Sequence, residues 1–126
     1  MIVSTETSGN LSTNNGSWTS IPGLVLKVPQ IVGETVLFVL NVPNPYATGN
    51  SYPGGNFGIA FNGEIQAPFA AFTSSEQNPS GAARVPTTLC VSTKLTSTQL
   101  IATAMWSSIR GSTVHIDSPA TLSMIL

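Results

Sequence analysis

From Ile21 onward short apolar runs alternate with clusters of Pro, Gly and Asn. Runs of this length between turn residues predict strands, at the spacing of an all-β sandwich or barrel. The pattern places strands at 24–28, 35–42, 57–61, 64–72, 87–95, 99–107, 113–116 and 120–126. Val, Ile, Thr and Phe dominate these runs, and their branched or aromatic side chains suit a pleated surface better than a helix. Asn62-Gly63 lies between two of the runs and reads as a type I′ hairpin, since both central residues of that turn need positive φ. Eight strands in so short a chain favour a jelly roll, and no repeat at a 20–50-residue period suggests a solenoid or propeller. At the end of the chain Leu122, Met124 and Leu126 alternate with Ser123 and Ile125, which predicts a buried terminus.

Residues 1–20 carry Ser, Thr, Asn and Gly with little periodicity, so they read as a polar arm or edge segment, and 21–126 as a single domain. The Pro- and Gly-rich stretch 41–55 reads as one long loop and 78–84 as a second; loops of that length inside a compact domain are more often functional than idle.

Composition narrows the classes. The chain has 126 residues, net charge −1 and only 7% charged positions, while 41% are hydrophobic and Ser and Thr fill 31. Disorder needs low hydrophobicity and high net charge, so a folded domain is expected. Four scattered cations form no patch for nucleic acid. No apolar run is long enough to span a membrane. The N-terminal stretch has neither a basic n-region nor an apolar h-region, so no cleaved secretory signal is expected. The chain is then expected to be made in the cytoplasm and released or displayed at the surface by a non-Sec route. The single Cys90 cannot form an internal disulfide and reads as a small buried hydrophobe.

Chemistry-bearing residues are few. His115 and Asp117 stand two apart on a predicted strand and share a face, which invites a Ser–His–Asp reading, but a lone His in an alternating stretch is far more often structural. The Glu residues and Asp117 show no spacing for glycoside hydrolysis. No His, Cys or carboxylate cluster calls for a metal or cofactor. An enzyme is therefore not expected. Carbohydrate recognition asks for a planar Arg fork that bonds adjacent hydroxyls, and for an aromatic face that covers a sugar ring. Arg84 in PSGAAR and Arg110 in SSIRGS sit beside Gly and small residues that leave a guanidinium accessible. As a solvent-facing side chain, Arg110 is expected to contribute little to folding. Tyr46 and Tyr52 flank the Gly-Asn loop and offer an aromatic platform or plug the end of the sandwich. Trp106 reads as core or interface, and Trp18 as a residue placed to pack across to a neighbouring subunit.

Two stretches carry a resemblance. VLNVPNPYATGNSYPG (Val39–Gly54) and WSSIRGSTVHIDSPATLS (Trp106–Ser123) closely resemble the fucose-binding N-terminal lectin domain of the Burkholderia superlectin, with further matches at IPGL, FTSS and Arg84-x-Pro86. The resemblance implies a tumour-necrosis-factor-like jelly roll that assembles as a homotrimer, with a metal-free sugar site at each of three seams between protomers. It implies that Tyr46 and Arg84 contact the sugar from one protomer, and Thr73 and Arg110 from its neighbour. Tyr46 would cover a ring face or support the loop. Asn56 and Ser74 stand where the family has tyrosines, and Gly81 and Ala82 where it has a serine and a threonine. The implied pocket is wider and less hydrogen-bonded, and its partners are fucosylated or other cell-surface glycans. The competing reading is a structural trimerisation head of the complement type with no sugar activity.

Overall fold

The computed structural model describes residues 1–81 and 84–126. Among these the chain is all strand and turn: β1 (Ile2–Glu6), β2 (Leu11–Thr13), β3 (Thr19–Lys27), β4 (Thr35–Val42), β5 (Pro45–Thr48), β6 (Gly54–Phe61), β7 (Glu64–Ile65), β8 (Ala70–Thr73), β9 (Thr87–Lys94), β10 (Ile101–Ile109), β11 (Thr113–Ile116) and β12 (Thr121–Ile125). A four-stranded sheet runs β1-β12-β4-β9, a five-stranded one runs β3-β10-β6-β7 with β8 also on β6, and a small third sheet runs β2-β11-β5. Every pairing is antiparallel. The result is a jelly-roll-like sandwich.

Side-chain alternation builds the core. Val36, Phe38, Leu40 and Val42 on β4, with Leu122 and Met124 on β12, point inward from one sheet. Leu24 and Leu26 on β3, Phe57 and Ile59 on β6, and Ala102, Ala104 and Trp106 on β10 answer from the other. The start of β6 is crowded on both sides. A Cβ on Gly54 would collide with the backbone of Phe72 and Thr73, and one on Gly55 with Val114, so only Gly lets β6 pack this closely on β8 and on β11 of the three-stranded sheet.

Several sequence expectations change. The 41–55 stretch contains β5, because Pro45 takes the first position of a strand, where a missing N–H costs little. The 64–72 run is split into β7 and β8 around Pro68, which lacks the donor a continuous ladder needs. Within the segment read as an arm or an edge, residues 2–6 and 11–13 are edge strands of the four-stranded and three-stranded sheets, the edge alternative of the two. The terminal run is only partly buried: Met124 is inside, while Ile125 is 39% exposed. Cys90 is exposed, since its neighbours Leu89 and Val91 take the two inward positions of β9 and the pleat turns the thiol outward. Trp18 packs edge-to-face on Phe69 of its own chain, with ring centroids 5.5 Å apart. Trp106 is core, and Asn62 and Gly63 take φ of 51° and 86°, as the hairpin reading requires.

The outward face of the four-stranded sheet is nearly free of charge. Register places Ile2, Ile125, Leu37 and Ser92 in one row, Ser4, Ser123, Val39 and Cys90 in the next, and Glu6, Thr121, Asn41 and Thr88 in a third. Lys94, paired with Thr35, occupies the corner diagonal to Glu6.

Candidate functional site

Arg84 is seated by its neighbours. On the third sheet Tyr46 of β5 faces His115 of β11, and their rings stack at 4.6 Å with only 10° between planes. His115 Nε2 lies 3.1 Å from Thr48 Oγ1. The Val85 N–H donates to the Pro45 carbonyl at 3.0 Å, which lays the following segment along the free edge of β5. Arg84 therefore approaches Tyr46 from the side away from His115, with its guanidinium carbon 4.6 Å from the ring centroid. Nη1 donates to the Asn44 carbonyl at 3.0 Å and to Asp117 Oδ1 at 2.6 Å. The Arg84 hydrogen bond holds the Asp117 carboxyl below the usual carboxylate range, and the same bond raises Arg84. Burial lowers His115, opposed by the charge of Asp117. The Tyr46 ring thus packs against both His115 and Arg84 within one chain and is half-buried.

Arg110 is held differently. It occupies the β10–β11 turn, where Ser112 N–H donates to the Ile109 carbonyl at 3.0 Å and Arg110 and Gly111 take φ of 50° and 68°. Asn, Asp or Gly normally fills the first of these positions, because a Cβ is strained there. Nε donates to the carbonyls of Ser51 (3.0 Å) and Tyr52 (3.1 Å); Nη2 donates to Tyr52 (2.7 Å) and to Thr73 Oγ1. Thr73 in turn donates to the Tyr52 carbonyl at 2.9 Å. Tyr52 itself has φ of 48°. Two left-handed residues thus brace each other, and the expectation that Arg110 matters little to folding is corrected. It is exposed, yet its Nε and Nη2 are spent on the β5–β6 loop and on Thr73 of β8.

Ser74 and Gly81 line a depression of about 350 Å³ together with Thr73, Glu76 and Pro79. Ser74 Oγ accepts from the Glu76 N–H at 3.1 Å. Asn56 stands apart, bonded through Nδ2 to Ser107 Oγ at 3.0 Å and opposite Ala71 in register. Ala82 lies outside the described residues. The structure brings Tyr46 to Arg84 and Thr73 to Arg110, but not the two pairs to each other. Tyr46 lies within the β5–β11 ladder; Asn44 and Asp117, which hold Arg84, follow its Pro45–Ile116 end, and Arg110 precedes its Thr48–Thr113 end, about 10 Å away along the strands. Asn44 and Asp117 were not foreseen as partners of Arg84. Their signal was the His115-x-Asp117 spacing, which serves to place one residue on Tyr46 and the other on Arg84. No group of three or more His, Cys, Asp or Glu gathers among the described residues.

An all-β sandwich of the jelly-roll kind, with arginines presented by a loop and a turn, is the class these features define. The chain belongs to the family described as Bc2l-C, N-terminal domain, a lectin-related family whose sequence profile matches residues 8–125. The resemblance carried by Val39–Gly54 and Trp106–Ser123 is thereby confirmed. No curated protein matches the sequence significantly. Among solved structures, the insecticidal delta-endotoxin Cry8Ea1 from Bacillus thuringiensis is similar at 16% identity and a TM-score of 0.47 over 92% of this chain, which spans 19% of the toxin's length.

Proposed function

We propose that the protein is a trimeric lectin that binds fucosylated or related glycans, without a metal, at three seams between protomers. The observation that carries this reading is the separation of two arginine clusters on one chain, each with donors left over. On Arg84, Nε and Nη2 have no partner among the described residues; on Arg110, Nη1 has none. On this reading a sugar that meets both arginines takes Arg84 from one copy and Arg110 from the next, since the two are held past opposite ends of the β5–β11 ladder in one chain. The outer face of the four-stranded sheet, charged only at the opposite corners held by Glu6 and Lys94, supports self-association, with those two as complementary charges. A solvated monosaccharide buries few atoms, so affinity per site is modest, and three sites raise avidity on a glycan surface by roughly 10²–10⁴.

A glycan array combined with light-scattering mass tests the reading. Three-chain mass and neutral-glycan hits that vanish in Arg84→Ala support it. A single-chain mass, or hits unaffected by Arg84→Ala, overturns it. Three-chain mass with an empty array supports the structural trimerisation head instead.

A further inference from the structure

We propose that Asp117 sets the class of saccharide the site accepts: by anchoring Arg84 and offsetting its charge, it makes that guanidinium a fork for neutral sugars with adjacent hydroxyls and disfavours sulfated, sialylated and uronic ones. The inference rests on the glycan-binding reading above and goes beyond it in naming the ligand class and the residue that selects it.

A guanidinium carries five N–H donors in one plane. The two on Nη1 go to the Asn44 carbonyl and to Asp117 Oδ1. Tyr46, itself stacked on His115, backs the group. One edge of the fork is therefore fixed, while Nε and Nη2 have no partner among the described residues on a side chain that is 41% exposed. Two parallel donors of this kind fit a carboxylate, a sulfate or a vicinal diol alike. An unpaired arginine ranks the anions first, because a charge-assisted bond with both partners ionised is the stronger.

Asp117 reverses that ranking. Its carboxylate lies 2.6 Å from Nη1, so an anion docking on Nε and Nη2 would share one positive charge with a carboxylate already there. A neutral diol meets no such repulsion. Other charges nearby do not restore the preference. Lys27 and Lys94 lie at the ends of β3 and β9, and His115 is kept neutral near pH 7 because burial lowers it. The Arg110 of an adjoining copy would arrive with Glu76 on the depression beside its Thr73. The ion pair that the described residues show is Arg84 with Asp117, and it is this pair that offsets the charge of the Arg84 fork.

The test compares neutral probes (L-fucose, galactose) with anionic ones (galactose 3-sulfate, glucuronate) by calorimetry on the assembled protein. The wild type should bind the neutral set in preference. Asp117→Asn should weaken neutral sugars by about tenfold as the fork loses its anchor, and strengthen the sulfated sugar by about tenfold in a salt-sensitive way. Asp117→Glu should keep the wild-type ranking. A merely structural role for Asp117 would weaken both sets together and leave their ratio unchanged, which would overturn the proposal. If Asp117→Asn does not fold, Asp117→Ser supplies the same ratio. Wild-type preference for the sulfated sugar overturns the proposal but leaves the glycan reading standing; wild-type binding of neither set overturns both.

Discussion

A residue's type in the sequence does not disclose what its polar atoms are spent on, and Arg110 illustrates the gap. SSIRGS marks an accessible cation in a Gly-containing turn, which the structure reproduces, but the three carbonyl bonds from Nε and Nη2 depend on a loop fifty-odd positions earlier and were not legible. Their consequence is measurable. Arg110→Ala keeps the left-handed backbone and loses the braces, so it should cost about 1–2 kcal/mol. Arg110→Gly loses the same braces and relieves the strained φ, so it should melt above the Ala variant by the equivalent of about 1 kcal/mol. Both should lose sugar binding. Equal melting temperatures in the two variants would show that the backbone at this turn is not strained.

The single histidine gives the residue scale a second readout. Burial lowers His115, so the folded state takes up a proton less readily than the unfolded chain. Stability is then complete above about pH 6.5, the unfolded value, and declines as pH falls through the lowered one. Asp117 is also lowered, by its bond from Arg84, so its contribution is present above about pH 3.9 and lost as pH falls through its own lowered value. Melting temperature against pH should show a first decline below about 6.5 and a second in strong acid. His115→Gln should remove the first and spare the second. A first decline that persists in that variant belongs to another group.

At the scale of elements, the strands facing the main core were legible because one side chain in two must be apolar, and β4, β9, β11 and β12 follow that rule closely. The failures have a common cause. β1, β2 and β5 lie at sheet edges, where one side of the ladder is open, so a polar sequence or an initial proline is tolerated and periodicity fades. The β5 failure also hid Tyr46, whose pairing with His115 follows only once 45–48 is known to be a strand on β11. At β6 the constraint is space. Gly55→Ala would press its Cβ into Val114 and should cost about 2 kcal/mol, or about 5–10 °C in melting temperature. Gly63→Ala, with φ of 86° and nothing within 4 Å, meets strain alone and should cost less. The reverse order would mean that β6 and β11 do not pack as tightly as the geometry requires.

At the scale of the whole molecule, the two arginine clusters and the charge-poor sheet face bear on one question, because a site split between copies exists only when the copies assemble. Val39 stands near the middle of the face, between Ser123 and Cys90 in register, and points away from the core, so a charge there perturbs a contact between copies far more than it perturbs the fold. Val39→Asp would bury an unpaired carboxylate in any assembly that uses this face, a cost of several kcal/mol and large against the stability of an interface. The variant should sediment as a single chain with an intact β-sheet circular-dichroism spectrum. It should also fail to bind sugars although Tyr46, Arg84, Thr73 and Arg110 are all present. Restored binding on mixing Arg84→Ala with Arg110→Ala protein would show the seam directly, since a mixed contact brings together one copy's Arg84 and the other's Arg110. If Val39→Asp keeps the wild-type mass, the face is not the interface; if it is a single chain that still binds sugar, the site is complete within one protomer and the division of the arginines between copies is wrong.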